Sequence, residues 1–112
     1  MSCKIVYTEE AEQDLVDVFR YIAMDLMVPK TAKNQVDRIM DAIKGLDELP
    51  LRHKVYQKEP WHSRGLRVLP VDSYLVFYTI IEEEKTVAII RIMYGGRNID
   101  LQLSNTRIKI KY

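Results

Sequence analysis

The residues best suited to chemistry in this 112-residue chain are basic, and several stand close to its end. The stretch "RIMYGGRNID", residues 91–100, carries Arg91 through a strand-like apolar run and presents Arg97 directly after Gly95-Gly96. Upstream, "RGLRVLPV" holds Arg64 and Arg67, and Lys54, Lys58 and His62 precede it. Guanidinium groups grip phosphate oxygens in pairs and stay charged at any physiological pH. A cluster of them would hold a nucleic-acid backbone or stabilise a pentacovalent phosphate. Arginine hardly deprotonates, so proton transfer would fall to His62, Lys54, Tyr94 or water. Each arginine also has an ordinary reading, as a solvated edge residue or as the ion-pair partner of an acidic helix.

Strand geometry decides which of these groups could meet, because side chains alternate between faces. Leu66 and Val68 then share one face, and Arg67 shares the other with Leu69. The same rule groups Arg91 with Ile89 and Met93, opposite Ile90 and Ile92. A helical layer can cover only one face of a sheet. Arg64, Arg67, Arg91 and Arg97 could therefore converge on the open face, with Lys54, Lys58 and His62 on the adjoining loop. The glycine pair before Arg97 lets another backbone approach closely. Trp61, behind Pro60, reads as a base-stacking platform, an interface anchor or, more commonly for such a residue, a lid on the core. Tyr74, Phe77 and Tyr78 read as packing and His53 as plain loop.

The elements that must position these residues are legible. "CKIVY" reads as a strand, and Thr8 as a helix N-cap followed by Glu9, Glu10 and Glu12, where the helix dipole favours negative charge. Ala11, Leu15, Val18, Phe19, Ile22 and Leu26 make an apolar stripe at helical spacing that ends before "MVPK". Pro29 can open a second helix, with Ala32, Val36, Ile39, Met40, Ile43 and Leu46 as its stripe and "ELP" as its close. Residues 51–63 lose periodicity and read as a loop crossing to a sheet. "RGLRVLPV", "SYLVFYTII" and "TVAIIRIMY" read as strands, and the short turns Asp72-Ser73 and "EEEK" force antiparallel pairing. The expectation is an α+β fold: an N-terminal strand, an antiparallel helical hairpin, then a C-terminal antiparallel β-meander. All of it fits one domain over residues 1–112, with no element assigned to the tail 104–112, where "RIKIKY" alternates basic and apolar residues.

Composition narrows the function classes. The net charge of +1 conceals a polarity, −4 over residues 1–50 and +5 over residues 51–112. Such a basic half suits an anionic partner, nucleic acid or an acidic protein segment. No apolar run approaches the roughly 20 residues that span a bilayer, and the N-terminus has no signal core, so neither membrane insertion nor export is expected. Cys3 is the sole cysteine, which excludes an internal disulfide and fits a reducing cytoplasm. With two scattered histidines, it offers no metal-site spacing, and no metal or other cofactor is expected.

Taken together, "EEAEQDLVDVFRYIA", "IKGLDELP", "GLRVLPVDSYLVFYTI" and "VAIIRIMYGGRN" resemble the RelE/ParE superfamily, toxins of bacterial type II toxin–antitoxin modules. The resemblance runs from about Tyr7 to Leu103 and rests on A-x-x-D-L, L-R-x-L, Y-x-V-F-Y and R-I-x-Y-G-x-R at these spacings. It implies a helical hairpin packed on an antiparallel sheet, and a cognate antitoxin whose C-terminal segment wraps the toxin in a hetero-oligomer. Two targets follow from it. A RelE-like member is a metal-independent mRNA endonuclease acting on the ribosome. Arg97 and Arg67 would then hold phosphate charge, with His62 or Tyr94 moving the proton. A ParE-like member inhibits DNA gyrase, with Lys54, Lys58, Trp61, Arg64, Arg67, Arg91 and Arg97 as candidate contacts. Leu75 stands where RelE-like enzymes commonly carry an arginine, and the long hairpin is more similar to ParE. The expectation is therefore a ParE-like toxin, with the RelE-like endonuclease as alternative and an inactive antitoxin-binding regulator as a third reading.

Overall fold

A computed structural model describes residues 3–48, 50, 53–96 and 99–104. Strand β1 (Lys4–Tyr7) runs straight into helix α1 (Glu9–Arg20). Thr8 makes that junction. Its Oγ1 accepts the Ala11 N–H at 3.0 Å, which caps the helix, and donates to the Ile90 carbonyl at 2.8 Å, which ties the helix to the sheet. A π-turn (Tyr21–Asp25) extends α1, closed by the Leu26 N–H on the Tyr21 carbonyl at 3.0 Å. This wider turn carries an extra residue and rotates the apolar stripe off the core. Ile22 is buried, whereas Leu26, expected in the stripe, is exposed; Phe19, also expected there, is exposed on α1 before the turn. Met27, at φ 59°, ends the helix, and Pro29 opens α2 (Pro29–Lys44) as expected.

The meander also follows expectation: β2 (Arg67–Val71), β3 (Tyr74–Ile81) and β4 (Thr86–Tyr94) pair antiparallel in sequence order. Beyond the expectation, β1 joins β4 in parallel, so the sheet is mixed, in the order β1-β4-β3-β2. Both tight turns place a side-chain-bearing residue in the left-handed region, Asp72 at φ 54° and Lys85 at φ 49°. Asp72 is further held by α2, accepting from Arg38 Nε at 2.8 Å and Gln35 Nε2 at 3.0 Å.

Both faces of the sheet are covered. Ala11, Val18, Ala32, Ile39 and Ile43 of the helices bury Leu69, Val76, Tyr78, Val87 and Ile89. On the opposite face, Trp61, Leu66 and Leu103 close over Phe77, Ala88, Ile90 and Met93. Leu103 belongs to a third helix, α3 (Ile99–Ser104), which the sequence reading did not assign. A β-bulge interrupts β4. Phe77 is opposite Arg91 and Tyr78 opposite Ile89, leaving Ile90 supernumerary. Past this bulge the alternation inverts, so Ile92 joins Ile89 on the helix face and Met93 joins Ile90 on the other. The expected grouping of Ile89 with Met93 is corrected accordingly. Among the described residues no helix is long and apolar enough to cross a membrane.

Candidate functional site

Arg91 is engaged by α1. Strand β1 covers the edge of β4 only as far as Ile89, and α1 passes beside the remainder. There Asp14 accepts Arg91 Nε at 2.7 Å and Nη2 at 2.9 Å, and its Oδ2 also takes the Ile92 N–H at 2.8 Å. Asp14 and Arg91 side chains are only 10% and 13% exposed, so the pair is shielded from competing water. The hydrogen bonds to Asp14 hold the guanidinium above its ordinary pKa. One carboxylate thus serves as counterion and stands in for the missing strand neighbour. The sequence signal for it was available: Asp14 lies three residues after Ala11 and four before Val18, inside the apolar stripe.

Arg67 turns the other way. Its Nη1 donates to the His53 carbonyl at 2.7 Å, beyond the outer edge of β2. Tyr78 lies beside it, with its hydroxyl on the Pro50 carbonyl at 2.6 Å and His53 edge-on to its ring. Burial raises the Tyr78 phenol, and the Arg67 charge opposes that rise. The neighbouring segment lines the edge of β2: Val68 N–H donates to the Lys54 carbonyl and Tyr56 N–H to the Leu66 carbonyl. The Lys54 side chain itself is exposed.

The Trp61 loop forms a third locality. The indole is buried, as the lid reading has it, and the exposed Arg64 guanidinium stacks over its ring at 5.5 Å. His62 is exposed, 3.8 Å from Glu59 Oε2, and Lys58 is exposed nearby in sequence. Glu59 is held below the ordinary carboxylate range, first by the Ser63 hydroxyl and then by the Ser63 N–H.

The structure therefore separates Arg64, Arg67 and Arg91 rather than bringing them together on an open face. That face does not exist here, because Trp61 and α3 occupy it. Arg97 lies outside the described residues, as does the tail from residue 105. Among the described residues no buried side-chain polar atom lacks a partner, and no group of His, Cys, Asp and Glu could hold a metal ion.

Tyr94 belongs to a feature that the sequence reading missed. A pocket of about 330 Å³ lies between α1 and the end of β4, lined by Asp14, Asp17, Tyr21, Tyr74, Ile92 and Tyr94 among others. Tyr74 and Tyr94 meet edge to face, their centroids 6.0 Å apart. A Cβ on Gly96 would fall 2.5 Å from Tyr94 Cε2, so that glycine lets the ring fold back. Three tyrosines at 21, 74 and 94 carry no periodic signal; only strand pairing and the hairpin bring them to one place.

The sequence matches, over residues 5–99, the family described as ParE toxin of type II toxin-antitoxin system, parDE. Similar solved structures include the chromosomal ParDE TA system from P. aeruginosa, at TM-score 0.68 and 21% identity, covering 83% of this chain and 96% of that one. The RelBE2 toxin-antitoxin complex from Mycobacterium tuberculosis gives TM-score 0.61 and 22% identity over 84% and 92% of the two chains. A free-state mutant of the E. coli toxin RelE gives 0.64 and 12% over 91% and 93%. At these identities the likeness shows the fold. No curated protein matches the sequence.

Proposed function

The chain belongs to the ParE toxin family of type II toxin–antitoxin systems, and from that premise we propose that it arrests growth in the bacterial cytoplasm by inhibiting DNA gyrase. A cognate antitoxin neutralises it within a hetero-oligomer, in keeping with the toxin–antitoxin complexes that share its fold. The observation that favours this target is the separation of Arg67 from Tyr94, one of the two phosphate-and-proton pairings an endonuclease could use. Tyr94 is opposite Tyr74, which is opposite Val71, four residues along β2 from Arg67. At about 3.3 Å per residue and 4.8 Å per strand, their Cα atoms are roughly 16 Å apart. Arg67 moreover points to His53, away from Tyr94. One phosphate does not bridge that gap. The middle-strand position offers Leu75, which packs toward the Trp61 face and cannot carry charge.

Purified chain added to gyrase and relaxed plasmid decides the matter. The expected outcome is loss of supercoiling with accumulation of cleaved DNA, and intact transcripts when the chain is induced in cells. Codon-positioned mRNA cuts on ribosomes, with gyrase unaffected, overturn the proposal, and so does the absence of growth arrest.

A further inference from the structure

The pocket between α1 and the end of β4 carries an unbalanced negative charge. Arg91, beside it, is held in its charged form first by the hydrogen bonds to Asp14. The charges of Asp14, Glu10 and Asp17 add to this, against the partial burial of the guanidinium. Three carboxylates thus surround one cation, and Asp14 alone, gripping it twice, already neutralises it. Asp17 is left over. Its Oδ1 accepts the neutral Gln13 amide at 2.9 Å, and it makes no ion pair among the described residues. Asp17 is exposed and lines the pocket, so it stands where the pocket meets solvent. Tyr21 follows one helical turn later, its N–H on the Asp17 carbonyl, which places ring and carboxylate on the same side of α1. Tyr94 approaches from β4, and both rings are about half exposed, at 52% and 51%.

We propose that this pocket binds an alkyl-guanidinium group, with Asp17 as its counterion and Tyr21 and Tyr94 as its stacking faces. The charge selects the sign of the ligand, because surplus carboxylates repel phosphate and other anions. The rings select its shape. A planar guanidinium lies flat on an aromatic face while two of its N–H groups still reach a carboxylate. An ammonium is more strongly hydrated and gives up more on leaving water. The volume selects its size. At about 330 Å³ the pocket is at the lower end of the roughly 300–1,000 Å³ of ligand sites, room for a guanidinium on a short alkyl stem. The inference is independent of which target the toxin inhibits, since neither reading assigns a role to Asp17 or Tyr21.

Butylguanidinium and its neutral isostere butylurea, titrated into the full chain and followed by the NMR signals of the tyrosine rings, test it. Butylguanidinium should shift the Tyr21 and Tyr94 signals saturably and bind about ten-fold more tightly than butylurea, the worth of a charged hydrogen bond. Asp17→Asn should remove that advantage and leave butylurea binding and the melting temperature unchanged. Equal affinities for the two probes, an advantage that survives Asp17→Asn, or the absence of a saturable shift each overturn the proposal. Binding that appears only in an Arg97→Ala variant also overturns it, by giving the pocket to the chain's own guanidinium. Agmatine and the blocked tripeptide glycyl-arginyl-glycinamide separate the two sources of the group: the tighter of them marks either a free small molecule or an arginine of a protein partner.

Discussion

Asp14 shows how a charge comes to be kept inside a small core. Its two oxygens take Arg91 twice and the Ile92 N–H once, so nothing is left unpaired. Asp14→Ala strands a guanidinium and a backbone N–H together, and should cost about 3–5 kcal/mol in urea denaturation. The double variant Asp14→Leu, Arg91→Leu should recover most of that loss, because an apolar pair removes the charge that the single change leaves buried. Asp72 acts in the opposite setting, at the surface. Hydrogen bonds from Arg38 and then Gln35 hold its carboxyl below the ordinary range. Its folded value being depressed, the contribution is complete above the unfolded carboxylate value and is lost as pH falls through the folded one. Asp72→Asn should therefore flatten part of the acid-side stability loss, read from melting temperatures in the carboxylate range. The ion pair of Arg91 with a helix acid was among the readings its sequence allowed. Its partner was marked as well, because a carboxylate inside an apolar stripe needs a buried counterpart.

At the scale of elements, the outer edge of β2 and the stretch of β4 beyond β1 are engaged by different devices. Residues 66, 68 and 70 of the β2 side address its outer edge, as the Val68 N–H to Lys54 shows. The 54–56 segment satisfies the first two, and Pro70 has no N–H to offer. Pro70→Val restores a donor on an exposed strand, and should raise the aggregation rate in light scattering while changing the melting temperature little. On the other side Thr8 and Asp14 of the helix occupy β4 where β1 stops. These closures explain which elements the sequence revealed. Caps, prolines and long apolar periods are local, so β1, α1, α2 and the meander were legible. The pairing of β1, the π-turn, the bulge at Ile90 and the burial of α3 are decided by contacts distant in sequence. "IDLQLS" is too short for a helical period to show.

At the scale of the whole molecule, a family pattern spread over residues 5–99 proved more informative than any single basic residue. The expectation of one arginine surface assumed an uncovered sheet face, and the second apolar cluster removes it. Arg97 keeps the standing its sequence position gave it. Arg97→Ala should abolish growth arrest without shifting the melting temperature, and arrest that persists in the variant removes Arg97 from any essential role. The bulge in β4 has a last consequence, for descent rather than for stability. With Ile90 supernumerary, the strand has two reading frames for its side chains. Deleting Ile90 would leave Phe77 opposite Arg91 and Tyr78 opposite Ile89, so Ile92, Met93 and Tyr94 would keep their faces and the strand would alternate without interruption. A single-codon insertion or deletion at this point can therefore occur in descent without moving the Tyr94 pocket, adding or removing one side chain of the Trp61 face.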